Sequence, residues 1–200
     1  MRKTDLKDYD NLKDLVLRTR SFRRFHEDYI ITEEDILMLI ELARLSGFGG
    51  NRQSFKFWAV LDEEKKEKVF ETLKWAAYYK EWDGPKKSER PSAYIVIFHD
   101  KKISNTYYWE HGIAAQSILL GATAKDLGGC MIASFNHQEI VDILGAEDNL
   151  NPLMVIALGK PKEEVILDCV DSSGSVEYWR DSEDRHHVPK RTLKEILKVI

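Results

Sequence analysis

The chain has 200 residues, of which 43% are hydrophobic and 32% charged, proportions typical of a folded globular protein and not of a disordered one. Its formal net charge of -4 at pH 7 gives an overall field that repels nucleic acid, which disfavours a general nucleic-acid-binding function. We expect one domain over residues 1–200, long enough to bury a substantial core.

The cysteine content and the apolar pattern indicate the cellular compartment in which the protein works. Cys130 and Cys169 form neither a CxxC pair nor a cluster with histidines at metal-ligand spacing, so we expect buried, reduced thiols and no metal. The N-terminal segment lacks the apolar core of a signal peptide, and no charge-free apolar run approaches the roughly 18 residues of a membrane span. The sequence predicts a cytoplasmic protein with no membrane partner.

The first two predicted elements are helices. Apolar residues recur at helical spacing over residues 6–16, and this helix stops at a run of arginines. A second helix begins at Thr32, which can cap it while Asp35 takes the third position of a capping box. The glycine-rich segment 46–50 ends this helix and permits positive φ and close approach of the backbone to a ligand.

Strands and helices alternate through the middle of the chain. Residues 55–61 and 93–99 are rich in aromatic and β-branched side chains between polar breaks, which predicts two strands. Between them we expect a charged helix over residues 63–79 and a surface loop over 82–91, which proline and glycine interrupt. A long helix with many small residues is expected over 107–127.

Two further strands are predicted at residues 130–134 and 153–158, with a short helix at 139–144 between them. Because strands and helices interleave throughout, the pattern predicts a three-layer α/β or α+β sandwich. The pattern alone leaves the strand direction open.

Basic clusters lie near both ends of this acidic chain. Residues 18–24 contain four arginines, and residues 187–193 contain Lys and Arg side by side. These side chains, with hydroxyls such as that of Ser21, are groups that bind a phosphate. Asn51 and Gln53 could address the donor and acceptor edge of a heterocycle. The three segments together predict a site for a phosphorylated, ring-bearing cofactor.

Other interpretations of these segments remain open. Each basic cluster alone can be explained as a solvated helix end. Phe22 and Phe25 between the arginines could form a stacking surface for single-stranded nucleic acid, although no RNP-like strand accompanies them. His186 and His187 are adjacent, and an adjacent pair of histidines alone is a poor ligand set for a metal. The sequence contains no nucleophile-elbow triad, no GxGxxG and no GxxxxGK[ST], so hydrolase and classical nucleotide-loop functions have no support.

Several motifs, in order along nearly the whole chain, resemble those of the FMN-dependent nitroreductase family. The family pattern Arg-Arg-Ser-x-Arg-x-Phe is matched by residues 19–25, and Asn-x-Gln-Pro-Trp by residues 51–55. A long helix ending in a glycine-rich turn is matched by residues 124–130, Leu-Gly-x-Pro by 158–161, and a closing Pro-Lys-Arg-x-Leu by 189–193.

The resemblance implies an α+β fold, a three-layer α/β/α sandwich around a mostly antiparallel sheet, assembled as an intertwined homodimer with FMN at the subunit interface. It implies that Arg23 stabilises the negative charge of the reduced ring. The implied contacts are Arg20, Ser21, Arg23, Lys190 and Arg191 to phosphate and ribityl, Asn51 and Gln53 of the partner subunit, and the backbone of Ile132, Ala133 and Ser134 beside the ring.

The implied activity is reduction of nitroaromatics, quinones or a related electron-poor small molecule by NAD(P)H through FMN, in a ping-pong scheme. One alternative is an FMN enzyme of the same family that catalyses dehydrogenation, dehalogenation or flavin fragmentation. The other is a non-catalytic module that binds a phosphate or nucleotide.

The chain departs from the family pattern at three places. Thr19 stands where the family often has its first Arg, so Arg18 or Lys190 could supply the missing charge. Residues 54–55 are Ser-Phe in place of Pro-Trp, and residues 133–134 are Ala-Ser where Gly or Glu-Gly often occurs. These last two changes are expected to alter the shape of the substrate pocket, which Tyr78, Tyr79 and Trp82 could line.

Overall fold

The computed structural model describes residues 6–200; residues 1–5, part of the stretch examined for a signal peptide, lie outside the described residues. The helices are α1 (Lys7–Arg18), α2 (Glu33–Leu45), α3 (Glu63–Thr72), α4 (Glu110–Ala124), α5 (His137–Leu144) and α6 (Leu193–Ile196). The strands are β1 (Phe25–His26), β2 (Phe55–Val60), β3 (Ala93–Asp100), β4 (Gly128–Ile132), β5 (Leu150–Pro161), β6 (Val165–Cys169), β7 (Trp179–Arg180) and β8 (His186–Lys190). Within the described part of the chain, no helix combines the length and the apolarity that crossing a bilayer requires.

The long strand β5 organises the main sheet. It pairs antiparallel with both β3 and β4, β3 pairs antiparallel with β2, and β1 pairs with the last two residues of β5. All eight residues of β3 are buried, because its β-branched and aromatic side chains pack on both faces of the sheet. The predicted mixed α+β fold with an antiparallel central sheet is confirmed.

Helices pack on both faces of this sheet. Side chains alternate along β3, so Ile95 and Ile97 join a buried cluster with apolar residues of α2 and α4. Tyr94, Val96 and Phe98 join a second buried cluster with residues of α3 and α5. The two clusters give the fold a core on each side of the sheet.

Two helices are shorter than the sequence predicts, for identifiable reasons. The helix expected over residues 63–79 ends at Thr72, because the chain then pairs with the segment after β4: the Lys74 N–H donates to the carbonyl of Ser134 at 2.9 Å. The helix expected from residue 107 begins at Glu110, whose carboxylate accepts hydrogen bonds from the backbone N–H of Tyr108 (2.6 Å) and Gly49 (3.1 Å).

The two cysteines differ in burial. Cys130 in β4 is buried, as predicted, and burial raises the pKa of its thiol. The same prediction is wrong for Cys169, which is exposed, because it lies in β6 at the edge of a separate small sheet.

The N-terminus of α2 carries the predicted capping box. The Thr32 hydroxyl accepts from the Asp35 N–H (3.1 Å), and the Asp35 carboxylate accepts from the Thr32 N–H (2.9 Å). Thr32→Ala should therefore lower the free energy of unfolding by about 1 kcal/mol. Thr32→Ser keeps the hydroxyl and should therefore retain most of the stability that the wild-type cap provides. Urea denaturation of the three proteins measures this difference, and equal losses in both variants would contradict the capping role.

The sequence pattern did not predict the second sheet, in which β8 pairs parallel with β6 and antiparallel with β7. His187 of β8 connects its three strands. Its Nδ1 lies 2.8 Å from Asp168 and its Nε2 lies 3.2 Å from Asp181, while its ring stacks on Trp179. Since both ring nitrogens face carboxylates, the imidazolium form fits this position.

The small sheet should lose stability as pH rises. The hydrogen bond to Asp168 raises the pKa of His187 above its ordinary value of about 6.5. The stabilisation is thus fully present below that value and is lost as pH rises through the higher folded-state pKa. We expect the apparent Tm to fall as pH rises above about 6.5, and to fall more steeply in the wild type than in His187→Gln. Parallel pH profiles would contradict this prediction.

Candidate functional site

A cavity of about 360 Å³ lies where the segment after α1 meets α4, β4, β6 and β8. We call it the cationic cavity. Among residues 6–200, no Asp or Glu lines it. Its polar lining side chains are Thr19, Arg20, Ser21, Arg23, Gln116, Tyr178, His186 and Lys190.

The cations of this cavity lack ion-pair partners in residues 6–200. The Arg20 guanidinium donates to the carbonyl of Val16 (2.5 Å), and its buried Nε has no acceptor among residues 6–200; burial lowers the pKa of Arg20 below its ordinary value. Arg23 donates only to the carbonyl of Ser21 and to His186, each at 3.2 Å. Lys190 has no salt bridge or side-chain hydrogen bond. Three uncompensated cations around one cavity create a site for an anion.

A buried carboxylate keeps Arg23 in place without neutralising its guanidinium. Glu163, whose side chain is 2% exposed, accepts hydrogen bonds from the backbone N–H groups of Arg23 and Arg24 and pairs with Arg180. Arg24 instead pairs with Asp184 outside the cavity. The guanidinium of Arg23 is thus available to a ligand in the cavity, whereas the guanidinium of Arg24 forms an ion pair within the protein.

Thr19 lines the cationic cavity, but its hydroxyl is engaged within the protein. It is buried, donates to the carbonyl of Leu15 (2.7 Å) and shares a hydrogen bond of 2.8 Å with Thr123 of α4. Arg18 pairs with Asp14 (2.8 Å) and lines another surface cavity. Of the two residues expected to compensate for Thr19, only Lys190 lies at the cationic cavity.

Lys190 and Arg191 separate because Lys190 is the last residue of β8 and Arg191 lies beyond it. His186, Val188 and Lys190 are two residues apart along β8 and all line the cationic cavity. His187 faces the small sheet's carboxylates instead. Arg191 follows β8, is exposed and lies 3.7 Å from Glu195.

A larger adjoining cavity of about 630 Å³ shares Arg23, Met131 and Tyr178 with the first. We call it the aromatic cavity, because its wall includes Trp75, Tyr79, Trp82 and Tyr178. The end of β4 and the two residues after it, Ile132, Ala133 and Ser134, line it as well. The Ser134 carbonyl already accepts from Lys74, so that carbonyl is engaged within the protein.

The predicted amides lie elsewhere in the subunit. Asn51 and Gln53 are exposed, and both have φ of 51°. Gln53 lines a third cavity, of about 310 Å³, together with Phe48 and Phe55. The structure therefore brings seven of the predicted site residues to the two adjoining cavities and leaves Asn51, Gln53 and Arg191 apart. The seven are Arg20, Ser21, Arg23, Ile132, Ala133, Ser134 and Lys190.

Sequence reasoning missed four residues of the site: Gln116, Glu163, Tyr178 and His186. His186 was considered only as a metal ligand. Tyr178 and His186 could have been found from the sequence, because an aromatic pair at 178–179 and a histidine pair at 186–187 stand out within a polar segment. Glu163 gave no signal, because its role depends on distant backbone groups.

The matching family model is described as "Nitroreductase family", and it matches residues 16–160, which include the arginine run, β4 and β5. The chain belongs to the nitroreductase family. A curated relative from Archaeoglobus fulgidus, named "Putative NADH dehydrogenase/NAD(P)H nitroreductase", is 28% identical over 157 residues, covering 74% of this chain and 85% of that protein.

Solved structures of nitroreductases share the fold. A nitroreductase family protein from Clostridium novyi NT has a TM-score of 0.61 at 25% identity, over 75% of this chain and 86% of that one. A structure from Exiguobacterium sibiricum, titled as a "putative nitroreductase in complex with FMN", has a TM-score of 0.64 at 18% identity, over 76% of this chain and 88% of its own.

Proposed function

We propose that this nitroreductase-family chain is an FMN-dependent oxidoreductase that takes electrons from NAD(P)H and passes them to an electron-poor small molecule, such as a nitroaromatic or a quinone, by a ping-pong scheme. The observation that carries the proposal is the convergence of Arg20, Arg23 and Lys190, none of them ion-paired, on one cavity beside β4. The complex with FMN named for the Exiguobacterium protein supports the same cofactor.

The residues present fit a flavin mononucleotide. The unpartnered Nε of Arg20, the Ser21 hydroxyl and Lys190 are donors suited to a phosphate dianion. Arg23 lies between the cationic and aromatic cavities and places positive charge beside the segment Ile132–Ser134. When bound, FMN would supply hydride and electron transfer. The protein's part is to bind, to orient and to stabilise negative charge through Arg23.

The proposal includes a three-layer subunit and an intertwined homodimer. Within the described residues α1 buries none of its side chains, although it is rich in Leu and Val. Large exposed apolar surfaces are typical of interaction sites. The exposed apolar side chains are Leu12, Val16 and Leu17 of α1, Leu37, Met38, Leu42 and Leu45 of α2, and Leu193, Leu197 and Ile200 near the C-terminus. A partner that covers them would also supply Asn51 and Gln53, which lie away from the cationic cavity of their own subunit.

An absorption titration with FMN tests the proposal. We expect flavin bands that shift on binding and bleach when NADH or NADPH is added without oxygen, then return with a quinone. Light scattering should give the mass of a dimer. Protein that binds no FMN at saturating concentration would contradict the assignment and favour a phosphate-binding module. Bound flavin that neither donor reduces would favour another reaction of the family.

A further inference from the structure

The proton on His186 can be located from its neighbours. Arg23 Nη1 lies 3.2 Å from His186 Nε2, and a guanidinium can only donate, so Nε2 accepts. His186 is 1% exposed. Burial, reinforced by the charges of Arg23 and Arg180, lowers the pKa of His186 to about 4, so the ring is neutral near pH 7. A neutral imidazole whose Nε2 accepts carries its hydrogen on Nδ1.

This tautomer fixes the direction of a tyrosine hydroxyl. The Nδ1–H of His186 faces the Tyr79 hydroxyl oxygen at 2.6 Å, so Tyr79 accepts there. The hydrogen of Tyr79 must then point elsewhere, and it has no acceptor among residues 6–200. Burial raises the pKa of Tyr79, so the phenol keeps this hydrogen at neutral pH. Tyr79 lines the aromatic cavity with Arg23.

The surroundings favour one chemical class of ligand. Trp75, Trp82 and Tyr178 supply flat apolar walls for a planar ring. Among the described residues, Lys74, Lys80 and Arg23 line the same cavity together with a single carboxylate, that of Asp83, so the net positive charge favours oxygens that carry negative charge. A donor hydrogen at the edge of such a cavity suits an oxygen attached to the ring.

We propose that Tyr79 is a specificity-determining hydrogen-bond donor to an oxygen of a planar aromatic acceptor in the aromatic cavity, and that His186 is the positioning residue that directs the Tyr79 hydrogen toward it. The class of ligand rests on the proposed function. The arrangement of Arg23, His186 and Tyr79 rests on the hydrogen-bond geometry, with which the lowered pKa of His186 agrees.

The test compares two ligands of similar shape on FMN-loaded protein without an electron donor. Nitrobenzene offers oxygens to Tyr79, whereas toluene offers none. Tyr79→Phe should weaken nitrobenzene binding about threefold to tenfold and leave toluene binding unchanged. Tyr78→Phe is the matched control, because Tyr78 is exposed and does not line the cavity; it should change neither affinity. Isothermal titration calorimetry measures the dissociation constants of both ligands.

His186 has its own pair of variants. His186→Gln keeps an acceptor for Arg23 and a donor for Tyr79, so it should retain the preference for nitrobenzene over toluene. His186→Leu should lose that preference threefold or more. Equal preferences in the two variants would overturn the positioning role.

The proposal and the wider function fail in different ways. If FMN does not bind the wild type, the proposed function is wrong. If FMN binds and is reduced normally but Tyr79→Phe matches Tyr78→Phe with both ligands, the role of Tyr79 is wrong and the function stands. A loss of FMN affinity in Tyr79→Phe would place the hydroxyl on the cofactor and would also overturn the proposal.

Discussion

Arg20→Ala should weaken FMN binding by about tenfold to a hundredfold, because a partly buried guanidinium that bonds a phosphate contributes about 1.5–3 kcal/mol. The position is suited to this effect, since the Arg20 Nε is buried and has no acceptor. Lys190→Ala should cost about tenfold, at the lower end, because Lys190 is exposed and solvent screens its charge. Fluorescence titration of the apoprotein with FMN measures the dissociation constants of the wild type and of the two variants.

Arg191→Ala is the matched control for Lys190→Ala. The two residues are adjacent and both basic, but only Lys190 lines the cationic cavity, whereas Arg191 lies near Glu195. We expect Arg191→Ala to change the dissociation constant by less than about twofold, as for other exposed charges. Equal losses for the two substitutions would mean that the net charge of the segment attracts FMN and that the direction of each side chain is unimportant. Higher salt would then weaken FMN binding by both variants to the same extent.

This contrast also marks the limit of sequence reasoning at the site. The sequence predicted Lys190 and Arg191 together, as members of one motif. The structure separates them because Lys190 is the last residue of β8, whose alternate side chains line the cationic cavity, whereas Arg191 lies beyond the end of the strand, near Glu195. Residues 165–190 carry no clear alternation of apolar and polar types, so neither this strand nor its partner strands could be predicted from periodicity.

Local patterns did predict the elements whose causes are local. The capping box at Thr32 and Asp35 and the aromatic, β-branched run of β3 each depend on residues close in sequence. The end of α3 depends instead on pairing of Lys74 with Ser134, sixty positions away in the chain, and sequence reasoning placed that end seven residues too late. The roles of Glu163 and His186 depend on similarly distant partners, which explains why the candidate site was only partly predicted.

Gly129→Ala should lower the free energy of unfolding by about 3 kcal/mol and also reduce FMN binding. An added Cβ would clash with the carbonyl oxygen of Ala157, a backbone atom of β5 that cannot turn aside. Overpacking of this kind costs about 1–3 kcal/mol and occasionally more. The strand cannot shift freely, since the Gly129 carbonyl accepts from the Phe22 N–H at 3.0 Å and Gly129 forms a bridge with Ser21.

The expected loss of FMN binding follows from those last two contacts. Gly129 is held between β5 on one side and the Ser21–Phe22 segment on the other, so any displacement of β4 moves the turn that carries Arg20 and Arg23. Gly47→Ala is the control, because nothing lies within 4 Å of its added Cβ; its stability and FMN affinity should stay within about 0.5 kcal/mol of the wild type. Urea denaturation and FMN titration of both variants distinguish two cases. A destabilised Gly129→Ala protein with unchanged FMN affinity would mean that the arginine turn is held independently of β4.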